Sequence, residues 1–278
     1  MLTLTTLASG SSGNCLLLSC GDVHLLVDAG ISCRRICTGL KALGVEPEAL
    51  SGVLITHEHT DHIAGLATLT KRYAIPVYAS PGTGRQLCYR IAALEDVLHT
   101  CRPGTSFSVD GLDVETFPLS HDAAEPMGFA VSDGGRKAAV ATDLGVVTPE
   151  VEAAMAGAGL VVVEANHDVD WLEQGPYPYP LKQRILGDRG HLSNEAGARL
   201  ACRAAEAGAH TILLAHLSHE NNTPQRARTA AEICLRGSGI RPGAGGALGV
   251  APRPGPGRGC PGGGGGLWWG CISSAWAS

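Results

Sequence analysis

In the stretch LITHEHTDHIAGL, residues 54–66, His57, His59, Asp61 and His62 fall within six positions of one another. Imidazole nitrogens and carboxylate oxygens are ligands for zinc, manganese or iron. In an extended loop, residues two apart point the same way, so His57 and His59 can grip one ion from one side. Asp61 and His62 fall in the turn that follows and are offset toward a second position. A lone histidine is more often a packing or surface residue. An H-x-H-x-D-H pattern on one loop points instead to metal-assisted hydrolysis.

The elements around the cluster must hold it in place. Residues 53–55 read as a buried strand and 63–72 as a helix, so the cluster sits where a strand ends and a helix begins. Such loops carry function in layered α/β proteins. Upstream, the runs CLLLSC and VHLLVD flank a Gly-Asp hairpin signal, and a helix is expected over 32–43 with Ser32 as its N-cap. Downstream, PVYA, DVETFPL, GFAVSD, KAAVATD, LVVVEA and TILLA read as strands, with DGGR at 133–136 as a second hairpin turn. Helices are expected over 194–207 and 224–235. Two successive halves of strands and helices suit a sheet-on-sheet core with helices outside both faces.

The 278 residues are 44% hydrophobic, enough for one large domain. With 21 Lys and Arg against 26 Asp and Glu, the net charge of −5 argues against binding nucleic acid by bulk charge. No apolar run reaches the roughly 18 residues that span a bilayer, and no basic n-region precedes the first apolar residues. The ten cysteines are scattered without a C-x-x-C pair, so reduced thiols in a cytoplasmic protein are expected. The domain is expected over 1–236, with ALGVAPR within 237–254 as a candidate terminal edge strand. Residues 255–278, rich in Gly and Pro, are expected to be a disordered low-complexity tail.

The histidine loop resembles that of metallo-β-lactamase-fold hydrolases, and matching segments follow it: PLSHDAAEP, AVATDLG and ILLAHLSHENN. The resemblance implies an α/β fold, the four-layer αββα sandwich, and two divalent ions. It implies His57, His59 and His121 on one ion, Asp61, His62 and His216 on the other, and Asp143 bridging. Zinc or manganese suits that donor set. Asp28 in LLVDAG matches the family's carboxylate that orients ligands or loop amides.

Asp143 stands where common zinc lactamases use cysteine, which argues against antibiotic hydrolysis. Glyoxalase-type thioester hydrolases share the metal set but not VVVEANHD followed by GDRGHLSNEAGA. That pair resembles the catalytic loops of RNase Z-type nucleases, whose paired glutamate and histidine correspond to Glu164 and His191. A closer similarity, covering the chain to about residue 236, is to the WalJ/YycJ exonucleases. It rests on LASGSSGN, THEHTDH, SHDAAEPMGF, EANHDVDWL, GHLSN and AHLSHENN. This implies a DNA exonuclease working 5′ to 3′, with a hydroxide between the ions as nucleophile and His191 as general acid. Glu164 would hold that imidazole, and Asp61 would also orient the nucleophile. His167 and Asn166 are alternatives or aids to His191, His167 otherwise being a residue that orients ligands. The other readings are a small-molecule (thio)ester or phosphodiester hydrolase and an RNase Z-like ribonuclease.

Residues 168–190 join Glu164 to His191 and so must pass close to the ions. This segment holds Trp171, and also Tyr177, Tyr179, Lys182, Arg184 and Arg189 as candidate substrate contacts. Aromatic faces stack on bases while cations hold phosphates. A solvated helix face gives the same composition. His24, His99, His210 and His219 lie outside the matched positions and are expected at the surface or in hydrogen bonds.

Overall fold

Alternating burial divides the strands between layers. Leu16 and Leu18 face one cluster and Leu17 another, and in the second half Leu160 and Val162 face away from Val161 and Val163. Successive side chains of a strand point to opposite faces, so strands buried on both sides need two covering layers. The computed structural model describes residues 1–240, 247–252 and 271–272.

The first half runs β1 (Leu2–Ala8), β2 (Cys15–Cys20), β3 (Val23–Val27), α1 (Cys33–Ala42), β4 (Leu50–Leu54), α2 (Thr60–Ile63), α3 (Leu66–Tyr73), β5 (Val77–Ala79), α4 (Pro81–Arg90) and β6 (Leu98–Thr100). The second runs β7 (Ser106–Val109), β8 (Leu112–Pro118), β9 (Met127–Ser132), β10 (Lys137–Ala141), α5 (Pro149–Met155), β11 (Leu160–Glu164), α6 (Val169–Gln174), α7 (Tyr179–Leu186), α8 (Asn194–Glu206), β12 (Thr211–Ala215), α9 (Pro224–Gly237) and β13 (Ala247–Val250). A last strand, β14 (Cys271–Ile272), pairs antiparallel with β1.

The sheets have the orders β14-β1-β2-β3-β4-β5-β6 and β13-β12-β11-β10-β9-β8-β7. Leu4, Leu18, Leu25 and Leu54 meet Phe129, Val131, Val140 and Val162 between them. Ile36, Leu40, Leu66 and Leu69 of α1 and α3 cover the outside of the first sheet. Val151, Ala198, Ala201 and Ala231 of α5, α8 and α9 cover the second. This is the αββα sandwich. Each buried Leu or Val contributes about 1.5–3 kcal/mol, so three such clusters hold the layers together.

Several expectations met a different chain. The helix expected over 63–72 is broken into α2 and α3 at Gly65. There the backbone passes so close to residues 29–33 that a Cβ would lie 2.2 Å from the Ile31 carbonyl oxygen. α4 and α5 were not anticipated, although Ser80-Pro81 and Thr148-Pro149 are an N-cap followed by an N1 proline in each case. The first four residues of ALGVAPR, Ala247–Val250, form an edge strand, β13. The tail expected over 255–278 lies outside the described residues apart from Cys271–Ile272, which pair with β1. No helix among the described residues is long and apolar enough to cross a membrane.

Candidate active site

β3 is parallel to β4, and β10 is parallel to β11 and β12, so their carboxyl ends open on one edge of the sandwich. Asp28 follows β3, His57 follows β4, His121 follows β8, Asp143 follows β10 and His216 follows β12, each within a few residues. Three of these residues take left-handed backbone: Asp28 at φ 62°, Asp143 at φ 64° and His216 at φ 56°. The loop before α1 and the glycine loop after β1 pack against the histidine loop. Gly30 approaches Asp61 so nearly that a Cβ would lie 1.7 Å from the Asp61 carbonyl oxygen. Asn14 binds the same loop, its amide donating to the Asp61 carbonyl at 2.8 Å and its side chain lying 3.1 Å from His62 Nε2.

The rings of His57 and His59 are 4.5 Å apart, and His121 lies 4.9 and 5.1 Å from them. Asp61, His62 and His216 form a second group, with both imidazole Nε2 atoms 3.5 Å from Asp61 Oδ2. Asp143 lies between the groups, 3.4 Å from His62 Nε2, 3.4 Å from His216 Nε2 and 3.8 Å from His121 Nε2. Within each group, one ligand atom per residue lies within 4.8 Å of the others.

This donor set fits divalent metal. The Nε2 atoms of His57, His121 and His216 and Oδ2 of Asp143 are buried without a hydrogen bond. Each unsatisfied buried atom costs about 1–3 kcal/mol, which a coordinated cation would offset. The opposite nitrogen of each ring is anchored. His57 Nδ1 lies 3.0 Å from Thr56 Oγ1, His121 Nδ1 donates to the Gly190 carbonyl at 3.0 Å, and His62 Nδ1 meets Asp28 Oδ2 at 2.7 Å. Asp28 also accepts from the Thr56 amide at 2.9 Å. It therefore ties His62 to the histidine loop. Burial raises the Asp28 carboxyl's pKa, against the opposing pull of His62. Burial also lowers His57, helped by its histidine neighbours. In His216 burial pulls downward, but Asp143, Asp61 and Glu164 push the imidazole up to about 10. The field that favours an imidazolium there favours a divalent cation equally.

Glu164, at the end of β11, is fully used. Its Oε1 lies 2.8 Å from His191 Nδ1 and 2.8 Å from His216 Nδ1. Its Oε2 accepts from the amides of Leu144 at 3.1 Å and Leu192 at 3.0 Å. The sequence suggested the His191 partner and missed His216; no local pattern marks that contact. Burial opposes charge on His191, yet Glu164 and Asp143 leave its pKa raised. His191 keeps 21% of its side chain exposed and lines the cleft over the cluster. His167 does not. It pairs with Ser193 in an isolated bridge, and its buried ring makes no hydrogen bond through either nitrogen. Burial lowers its pKa to about 4. The expectation that His167 orients a ligand or donates the proton is therefore corrected.

The Beta-lactamase superfamily domain matches residues 24–217, the span that carries every one of these groups. The chain belongs to this superfamily. It is 38% identical over 240 residues to exodeoxyribonuclease YycJ of Bacillus anthracis, covering 86% of this chain and 91% of the relative. It is 31% identical over 255 residues to ribonuclease Z of Mycobacterium marinum, covering 78% and 86%. Among solved structures, the metallo-β-lactamase fold protein YhfI from Bacillus subtilis superposes with a TM-score of 0.69 at 18% identity, covering 90% of this chain and 97% of that one. The chain is a metal-dependent hydrolase acting on ester bonds.

The superfamily cluster opens on a cleft of about 390 Å³. α7 forms one wall with Leu181, Arg184 and Ile185, one face of a helical turn, and Tyr177 precedes it. Arg184 Nε donates to Asp122 Oδ2 at 2.5 Å, and that pair holds α7 against the loop carrying His121. Tyr177 and Arg184 thus line the cleft. Tyr179, 72% exposed, and Lys182 do not line it, because they lie on other faces of α7. Lys182 Nζ instead donates to the Glu173 carbonyl at 2.7 Å. Arg189 does not line the cleft either. Its Nη2 donates to the His121 carbonyl at 2.9 Å and its Nε to the same oxygen at 3.1 Å, so these two groups hold the His121 loop. Trp171 lies under the Arg226 guanidinium at 4.2 Å, away from the cleft lining. His24 bonds Ser19 Oγ at 2.8 Å, and His219 pairs with Glu220 at the surface, as expected for bystanders.

Proposed function

We propose that this chain is a dinuclear metal-dependent phosphodiesterase that degrades DNA from the 5′ end. The observation that carries the reading is His191 on the cleft wall, paired with the buried Glu164 and with its Nδ1 3.7 Å from Asp143 Oδ1. The likeness to exodeoxyribonuclease YycJ supports DNA as the polymer, and the sequence resemblance supplies the polarity.

His57, His59 and His121 would hold one ion, Asp61, His62 and His216 the other, with Asp143 reaching both; zinc and manganese suit this set. Two such ions supply a nucleophile at neutral pH and offset charge on the phosphoryl oxygens. The chain's own residues do the rest. Glu164 occupies His191 Nδ1, which leaves Nε2 to give a proton to the departing sugar oxygen. Asp61 faces the cleft and orients the attacking oxygen. Tyr177 offers a ring for a base, and Arg184 a cation for the adjoining phosphate.

The test is digestion of end-labelled duplex DNA, single-stranded DNA and RNA by protein loaded with Zn²⁺ or Mn²⁺. Mononucleotides released progressively from the 5′ end of DNA are expected. The likeness to ribonuclease Z makes RNA cleavage the alternative outcome, and turnover confined to small esters would refute the nuclease reading.

A further inference from the structure

We infer that Glu58, the residue between His57 and His59, is the strut that sets the distance from this histidine pair to His121. The inference rests on the proposal that the three histidines share an ion. Glu58 is buried, and neighbouring side chains on an extended segment alternate, so it points away from the ligands beside it. Its Oε1 accepts from the Ala124 amide at 2.9 Å, three residues beyond His121. Its Oε2 lies 3.4 Å from Thr83 Oγ1 in the first turn of α4. Its carbonyl oxygen accepts from Arg90 Nη1, at the far end of that helix, at 2.9 Å.

The same helix grips the His121 loop a second time. Ser80 Oγ donates to the Glu125 carbonyl at 2.6 Å, and the Gly82 amide donates to Glu125 Oε2 at 2.6 Å. The loop after β4, the start of α4 and the loop after β8 are therefore cross-braced, with the Glu58 carboxylate at the crossing. No other side chain from the histidine loop bonds the 121–126 segment among the described residues. Shortening or deleting Glu58 releases His121 relative to His57 and His59 while leaving all ligands present. The Asp61, His62 and His216 group is braced separately, by Asn14, Asp28 and Glu164.

The test is a Co²⁺ titration of the full chain followed by visible absorption, with His59→Ala identifying which binding step belongs to the three-histidine site. Glu58→Asp retracts the carboxylate. It should weaken that step by about 10–100-fold, the usual loss when a ligand's supporting partner goes, and should change that site's spectrum. The other step should stay within about twofold. Glu58→Gln keeps an oxygen for the Ala124 amide and can donate to Thr83 Oγ1, so it should restore the wild-type step. Equal weakening of both steps, or no weakening in Glu58→Asp, would overturn the inference. So would a Glu58→Gln as defective as Glu58→Asp. A wild-type chain that takes up no Co²⁺ would overturn the ligand assignment itself, a failure seen before any Glu58 variant is measured.

Discussion

Replacing Glu164 by glutamine exchanges one oxygen for an NH₂ group where both oxygens already accept two donors each. Oε1 faces His191 Nδ1 and His216 Nδ1, and Oε2 faces the Leu144 and Leu192 amides. Whichever way the amide turns, a donor meets a pair of donors. Two hydrogen bonds to a charged acceptor are lost, each worth about 1.5–3 kcal/mol, so destabilisation of about 3–6 kcal/mol is expected. For a chain of this size the melting temperature should fall on the order of 10 °C. Because His216 loses its anchor, metal affinity at the Asp61–His62–His216 group should drop about 10–100-fold. His191→Ala is the contrast. It should keep both ions and lose about 10²–10⁴ of its rate on a natural phosphodiester, with a much smaller loss on a nitrophenyl diester whose leaving group departs without protonation. Metal analysis, thermal denaturation and kinetics on both substrates separate the two variants. If Glu164→Gln retained full metal while matching His191→Ala on both substrates, the carboxylate would serve His191 alone. Equal losses on both substrates in His191→Ala would remove the general-acid role.

Elemental analysis should find two ions per chain, with His57→Ala or His121→Ala weakening one and Asp143→Ala disturbing both. A stoichiometry of one that Asp143→Ala leaves unchanged would refute the dinuclear site. Arg184→Ala should weaken polynucleotide binding and reduce its salt slope by about 0.7–0.9, while Lys182→Ala should leave the slope unchanged because that ammonium lies outside the cleft lining. The reverse order in a filter-binding titration would mean α7 presents its other face to substrate. Gly30→Ala should unfold the chain or displace Asp61, since its methyl carbon would lie 1.7 Å from a carbonyl oxygen. An unchanged melting temperature and metal content would contradict that close approach.

Side-chain type and order made the candidate ligand cluster legible: His57, His59, Asp61 and His62 share one loop, and His121, Asp143 and His216 each follow an apolar run. Strand period made the layers legible for the same reason, since Leu160 to Val163 alternate between two cores. What stayed hidden is set by tertiary approach. Gly65 breaks a helix that its own pattern would continue, because the chain from 29 to 33 lies against it. Arg189 has the composition of a phosphate contact, yet its Nε and Nη2 donate to the His121 and Ala123 carbonyls. Glu164 has the composition of one partner's anchor and serves two. A sequence supplies donors and acceptors; which of them are consumed internally depends on neighbours brought together by the fold.

The left-handed residues show the same dependence in the backbone. Asp28, Asp143 and His216 stand where glycine would be free of strain, and each left-handed residue costs roughly 1–2 kcal/mol. Glycine would remove that cost together with the contacts these side chains make. Asp28 reaches His62 Nδ1, Asp143 lies between the two ligand groups, and His216 is held by Glu164 through Nδ1 and by Ser9 Oγ through its backbone amide at 2.8 Å. The turn brings the side chain into the cluster immediately beyond the strand, and the surrounding hydrogen bonds hold the strained backbone in place. Ala74 and Asp110 are left-handed too, at the end of α3 and between β7 and β8. Asp28, Asp143 and His216 instead place strain at the strand ends where the candidate ligands gather, and the three clusters of buried side chains beneath supply the stability that sustains it.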